Sequence, residues 1–166
     1  KTIGDYAFAS CGVEVLEFPA GLETIGDYAL SGAPIRTFTA PAGLVTIGRG
    51  AFVASGITQA HLNDGLKTIG AAAFSQTSLT SLTLPDSVTE VGDFVLQSCP
   101  VLKEVTIGAG VTSLYAPFVS TPNLEHLFVA DGNTSFRVVD NILFSMDGTV
   151  LVSHLSLIHI SEPTRQ

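Results

Sequence analysis

Apolar residues fall in fixed columns along the chain. When a unit is opened at each apolar residue that starts an L-x-x-L-x-L pattern, units begin at Val13, Ile35, Ile57, Leu79, Leu102 and Leu124, at spacings of 22, 22, 22, 23 and 22 residues. Self-similarity at one short period is the mark of a solenoid: a single unit is too small to bury its own apolar face, and stacking joins the faces into one core. Positions four and six of the units are Leu16/Phe18, Phe38/Ala40, Ala60/Leu62, Leu82/Leu84, Val105/Ile107 and Leu127/Val129. They alternate with mostly polar residues, the period-two pattern of a strand with one buried face. Pro19, Pro41, Pro85 or Gly108 follows and is expected to end the strand and turn the chain.

The second half of each unit carries further columns. Leu22, Leu44, Leu66, Val88 and Val111 form one; Ile25, Ile47, Ile69, Val91 and Leu114 form another. Gly26, Gly48, Gly70 and Gly92 recur in register, which calls for a backbone angle or a close approach that a side chain forbids. Small Ala29, Ala51 and Ala73 then sit beside large Leu30, Phe52, Phe74 and Leu96, a pairing that predicts a short helical turn close to the layer beneath. The expected architecture is an α/β repeat solenoid. A parallel sheet covers one face, and short strands and helical turns cover the other. Six units at ~4.8 Å per strand make a rod or shallow arc roughly 30 Å long.

Two stretches carry a resemblance. "TIGDYAFASC" (Thr2 to Cys11) and "LTSLTLPDSVTEVGDFVLQSC" (Leu79 to Cys99) resemble the BspA-type leucine-rich repeat family, in which L-x-x-I-x-L-P leads to V-x-x-I-G-x-x-A-F and a cysteine three residues on. The resemblance extends from residue 1 to about residue 154 and implies a right-handed leucine-rich-repeat coil. The unit at Leu102 departs from the pattern, with Tyr115 in the glycine column and Pro117 in the turn, so an irregularity is expected there. The last unit, 124–154, resembles a non-standard unit of the family, with "VDNILFSMDGTVLV" (Val139 to Val152) as a hairpin turning at Met146-Asp147-Gly148. The solenoid fragment is therefore bounded at residues 1–154. "LSLIHISEPTRQ" (Leu155 to Gln166) fits no column, resembles a translated sequencing adapter, and is set aside from the fold. The chain opens inside a repeat without a visible signal peptide and is expected to be part of a longer protein.

Composition narrows the function classes. Hydrophobic residues make up 46% of the 166 residues and charged ones 13%, which argues for a packed fold rather than disorder. Fifteen Asp and Glu against seven Lys and Arg give a net charge of −8, unsuited to gripping nucleic-acid phosphates. No apolar run approaches the ~18 residues of a membrane helix.

Candidate chemistry is sparse. Cys11 and Cys99 share a column with Ala33, Ser55 and Thr77, four turns apart, too far for a disulfide, and read as small inward-facing side chains. His61, His126, His154 and His159 show no metal-ligand spacing. Asp140, Asn141 and Asp147 with Gly148 read as turn residues rather than a calcium loop, and Asn133-Thr134-Ser135 is a glycosylation sequon of little weight. No catalytic set, metal site or cofactor motif is expected.

What remains is the outward face of the predicted sheet. Position three is Val15, Thr37, Gln59, Ser81, Glu104 and His126. Position five is Glu17, Thr39, His61, Thr83, Thr106 and Phe128. This polar, threonine-rich surface is the candidate ligand-binding face; as a bare strand face it would carry threonine anyway. Phe128 is the most suggestive residue, because exposed aromatics often anchor interfaces. The resemblance implies a non-catalytic protein-binding scaffold, an adhesin at the cell surface or secreted from a bacterium, with host extracellular proteins such as fibronectin and fibrinogen as partners. A spacer presenting another domain, or an intracellular interaction scaffold, are the competing readings.

Overall fold

The computed structural model describes residues 1–148 and the backbone of a strand at 151–154; the adapter-like segment lies outside the described residues. The repeated "TI" and "EV" dipeptides form one side of the coil. β1 (Thr2–Ile3), β2 (Thr24–Ile25), β4 (Thr46–Ile47), β6 (Thr68–Ile69) and β8 (Glu90–Val91) make one parallel ladder, each pairing with the strand 22 residues on. The coil that holds Tyr115 and Pro117 adds no strand to this ladder.

The L-x-x-L-x-L segments form the other side. β3 (Thr37–Thr39) pairs with β5 (Gln59–His61); β7 (Ser81–Thr83), β9 (Glu104–Ile107) and β10 (His126–Val129) form a second group, all parallel. The chain then reverses into an antiparallel trio, β11 (Phe136–Val139), β12 (Ile142–Ser145) and β13 (Leu151–His154). The turn expected around Met146–Gly148 joins β12 to β13. A second hairpin joins β11 to β12 through Asp140 and Asn141, whose φ values of 50° and 58° give the twist-matched two-residue turn.

The apolar columns are the core. Leu22, Leu44, Leu66, Val88 and Val111 are buried, as are Ile25, Ile47, Ile69 and Val91. An aromatic spine joins the large column to the strand column: Phe52 lies 4.6 Å from Phe38, tilted 48°, and 5.2 Å from Phe74, nearly parallel at 3°. Such stacked rings add to what burial alone contributes.

The predicted helical turns do not exist. No described residue is helical, so the fold is an all-β solenoid of about six coils rather than α/β. In "DYAFASC" the N–H groups of Ala7, Ala9 and Cys11 bond back to Gly4, Tyr6 and Phe8. Those of Tyr6, Phe8 and Ser10 instead reach forward to the carbonyls of Asp27, Ala29 and Ser31 in the next coil. A helix would send every N–H to the fourth residue back. Here alternate donors are claimed by the neighbouring coil, and the backbone bends to aim them. Tyr6, Tyr28, Gly50, Ala72, Phe94 and Ala116, one per coil, all have positive φ.

The glycine column has a different cause. None of Gly26, Gly48, Gly70 or Gly92 has positive φ. A Cβ on Gly70 would lie 2.5 Å from the Gly48 carbonyl carbon and 2.5 Å from the Arg49 nitrogen. The coils touch backbone to backbone there, and close approach selects glycine.

Candidate functional site

The predicted sheet face is present over β3, β5, β7, β9 and β10, and its two rows are held by register. Thr37 faces Gln59 and Thr39 faces His61. Ser81, Glu104 and His126 align across three strands, as do Thr83, Thr106 and Phe128. All are exposed except the half-buried Thr106. Phe128 is 49% exposed and its ring stacks on His126 at 6.3 Å. Val15 and Glu17 are exposed too, but their segment forms no strand, so the structure does not join them to the ladder.

Some polar side chains of the coil have structural tasks. Several side chains outside the face hold coils together. Asp5 and Asp27 each accept a backbone N–H from the next coil, from Asp27 and Arg49, at 2.8 and 2.7 Å. Asp86 does the same for Ala109. Asn133, read at first as a sequon, is buried: its amide donates to Gly108 and Val111 and accepts from Ser135 and Phe136. On β3 to β10 no side chain of the two rows makes a hydrogen bond to the fold.

The sheet is also split. No backbone ladder joins β5 to β7, and none joins the 13–18 segment to β3. In the paired coils the Ala40 N–H donates to His61 at 2.8 Å and the Leu84 N–H to Thr106 at 2.9 Å. The equivalent N–H groups of Phe18 and Leu62 make no backbone hydrogen bond. At each gap there is a cleft on the sheet side, one of about 410 Å³ between Thr58–Asp64 and Thr80–Pro85, the other of about 490 Å³ between Leu16–Ala20 and Thr37–Ala42. Both gaps precede a strand followed by proline at unit position seven, Pro41 or Pro85. The unbroken junctions have Asn63, Gly108 or Ala130 there, and the Ala130 N–H bonds to Ile107.

Comparison with known proteins fits these coils to a family. The profile described as "BspA type Leucine rich repeat region" matches in six copies over residues 1–137. The chain belongs to that family. The pneumococcal vaccine antigen PcpA is similar in structure, at 30% identity and a TM-score of 0.65, over 94% of this chain and 35% of that one. A leucine-rich repeat protein of Eubacterium ventriosum matches at 22% identity and a TM-score of 0.74, over 82% of this chain and 37% of that one. A leucine-rich repeat protein of T. pallidum matches at 22% identity and a TM-score of 0.50, over 76% and 62%. The chain thus spans about a third of the first two solved structures. No curated protein matches.

Within this BspA-type coil the cysteine column is structural. Cys11 and Cys99 are both free. Cys99 is buried, its thiol 3.4 Å from the Thr77 hydroxyl and 3.2 Å from the Phe74 carbonyl oxygen, and burial pushes its pKa up. A buried thiol held protonated is a poor nucleophile. Ser55, one coil above Thr77, is buried with its hydroxyl unpaired. Among the described residues no three His, Cys, Asp or Glu side chains gather as a metal site. Among the described residues no helix is long and apolar enough to cross a membrane.

Proposed function

We propose that this BspA-type solenoid is a non-catalytic protein-binding scaffold of a cell-surface or secreted bacterial protein, and that it adheres to extracellular proteins through the face of β3, β5, β7, β9 and β10. The observation that carries this reading is the register: polar residues and Phe128 stand in two aligned, mostly exposed rows across parallel strands. A rigid array of this kind binds without ordering itself first, which lowers the entropy cost of association. Phe128 over His126 supplies the apolar anchor. The likeness to PcpA, a pneumococcal vaccine antigen, supports this reading.

Attachment of the purified chain to immobilised fibronectin or fibrinogen tests this. Replacing His61, His126 and Phe128 together by alanine is expected to weaken binding by roughly ten- to thirtyfold, the effect of losing one aromatic anchor. Replacing Glu23, Lys67 and Thr112, outside the face, is expected to leave it unchanged. Equal attachment by wild type and the face variant, with the fold intact, refutes the reading.

A further inference from the structure

A row of acidic and aromatic side chains stands beside the ladder of β1, β2, β4, β6 and β8. Two residues after the inward Ile or Val of each strand, successive coils read Asp5-Tyr6, Asp27-Tyr28, Arg49-Gly50, Ala71-Ala72 and Asp93-Phe94. In these five coils acid and ring occur together or not at all, and one coil that lacks both carries Arg49. Tyr115 stands one coil beyond Asp93: the Phe94 N–H donates to its carbonyl at 3.2 Å, as the Tyr28 N–H does to Arg49. The rings form two pairs. Tyr6 and Tyr28 stack at 5.2 Å, 12° from parallel. A Cβ on Gly50 would lie 2.5 Å from the Tyr28 ring, so that ring lies over the glycine. Phe94 and Tyr115 meet edge to face at 5.9 Å. Tyr6 is 62% and Tyr115 65% exposed, more than Phe128 on the strand face. The carboxylates differ in what they hold. Asp5 and Asp27 each use Oδ1 to accept an N–H of the next coil. Asp93, exposed in the same row, does not receive the Tyr115 N–H, and its carboxylate has no hydrogen bond or ion pair.

An exposed ring beside an unpaired carboxylate suits a cation, which the ring face and the charge both attract. We infer that this row is a second contact surface, which seats two basic side chains of a protein partner, one against Tyr6 and Tyr28 with Asp27, the other against Phe94 and Tyr115 with Asp93. The seats are three coils apart, about 14 Å at ~4.8 Å per coil. In an extended chain residues i and i+4 lie about 13–14 Å apart on the same side. Residue i+2 then falls between the coils of Arg49 and Ala71. Arg49 is exposed and makes no ion pair in the fold, so an acidic side chain matches it there. The same arginine disfavours a polyamine or an unbroken basic run. The partner segment is therefore extended and reads basic-x-acidic-x-basic. The surface is separate from the β3–β10 face, and the inference does not rest on the reading of that face.

Amide and ring NMR shifts of the whole chain test this with three capped heptapeptides. Gly-Arg-Gly-Glu-Gly-Arg-Gly is expected to shift Tyr28, Asp93, Phe94 and Tyr115, and less so at high salt. Gly-Arg-Arg-Gly-Glu-Gly-Gly, of the same composition with the arginines adjacent, is expected to bind at least about threefold more weakly, and Gly-Glu-Gly-Arg-Gly-Glu-Gly not at all. Asp93→Asn and Tyr115→Ser, both at exposed positions, are each expected to weaken the first response by about two- to fivefold. Either variant serves if the other fails to fold. Glu104→Gln, on the strand face, is expected to leave the response unchanged. No response at millimolar concentration, equal responses to the two arginine-rich peptides, a response at one seat alone, or one that neither variant weakens overturns the inference. Such a failure leaves attachment through His61, His126 and Phe128 as it was, so the two readings fall separately.

Discussion

Phe52→Ala is expected to destabilise the chain by about 3–5 kcal/mol, the cost of emptying a large aromatic site in a packed core. Phe52 is fully buried and central to the spine, with Phe38 on one side and Phe74 on the other. Removing it opens a cavity and breaks both ring contacts, and a solenoid passes stability only between neighbouring coils. At ~2–4 °C per kcal/mol for a chain of this size, the midpoint of thermal unfolding should fall by about 6–20 °C. Phe52→Leu is the control. Leu30 and Leu96 fill the same column position in other coils and are fully buried, so leucine is shaped for the site. Its cost should stay near or below about 1.5 kcal/mol. Calorimetry of the two variants checks this, and equal midpoints would contradict the spine.

Gly70→Ala is expected to cost about 3 kcal/mol or more, although it adds one methyl group. The new Cβ would meet the backbone of Gly48 and Arg49 at 2.5 Å, where no side chain can swing away. The coils would have to part, straining the β4–β6 ladder on one side and the Gly50 and Phe52 N–H bonds to Ala71 and Ala73 on the other. Gly21→Ala is the counterpart: nothing lies within 4 Å of its Cβ position and its φ is not positive. That change should be neutral, or stabilising by about 0.4–1 kcal/mol through the unfolded chain. Chemical denaturation of both variants decides whether close approach, rather than backbone angle, selects the column.

The columns were legible because burial repeats every 22 residues, and a buried side chain leaves its mark on composition. Leu44, Ile47 and Phe52 occupy the core as the pattern predicts. The helical turn was misread for a physical reason. Side-by-side Ala and Phe look the same whether the N–H groups bond within a helix or alternate between two coils, and hydrogen bonds to a neighbouring coil leave no trace in a single unit. Positive φ at Tyr6, Tyr28 and Phe94 is equally invisible, since none is the glycine that would signal it. Asp140-Asn141 between apolar residues did carry a hairpin signal, and Met146-Asp147-Gly148 drew attention from it. The face rows could be read by alternation from Thr37 to Phe128. Their interruption could not, because pairing between neighbouring coils leaves no mark in the residues of a single unit.

The split sheet is the central structural claim about this face, and amide hydrogen exchange reads it directly. Ala40, Leu62 and Leu84 occupy the same unit position in successive coils. The N–H groups of Ala40 and Leu84 are bonded and should exchange slowly, near the limit set by global unfolding; that of Leu62 should exchange at a rate close to that of an open chain, as should that of Phe18. If Leu62 is instead as protected as Ala40 and Leu84, the ladder runs unbroken through β5 and β7 and the sheet is not split.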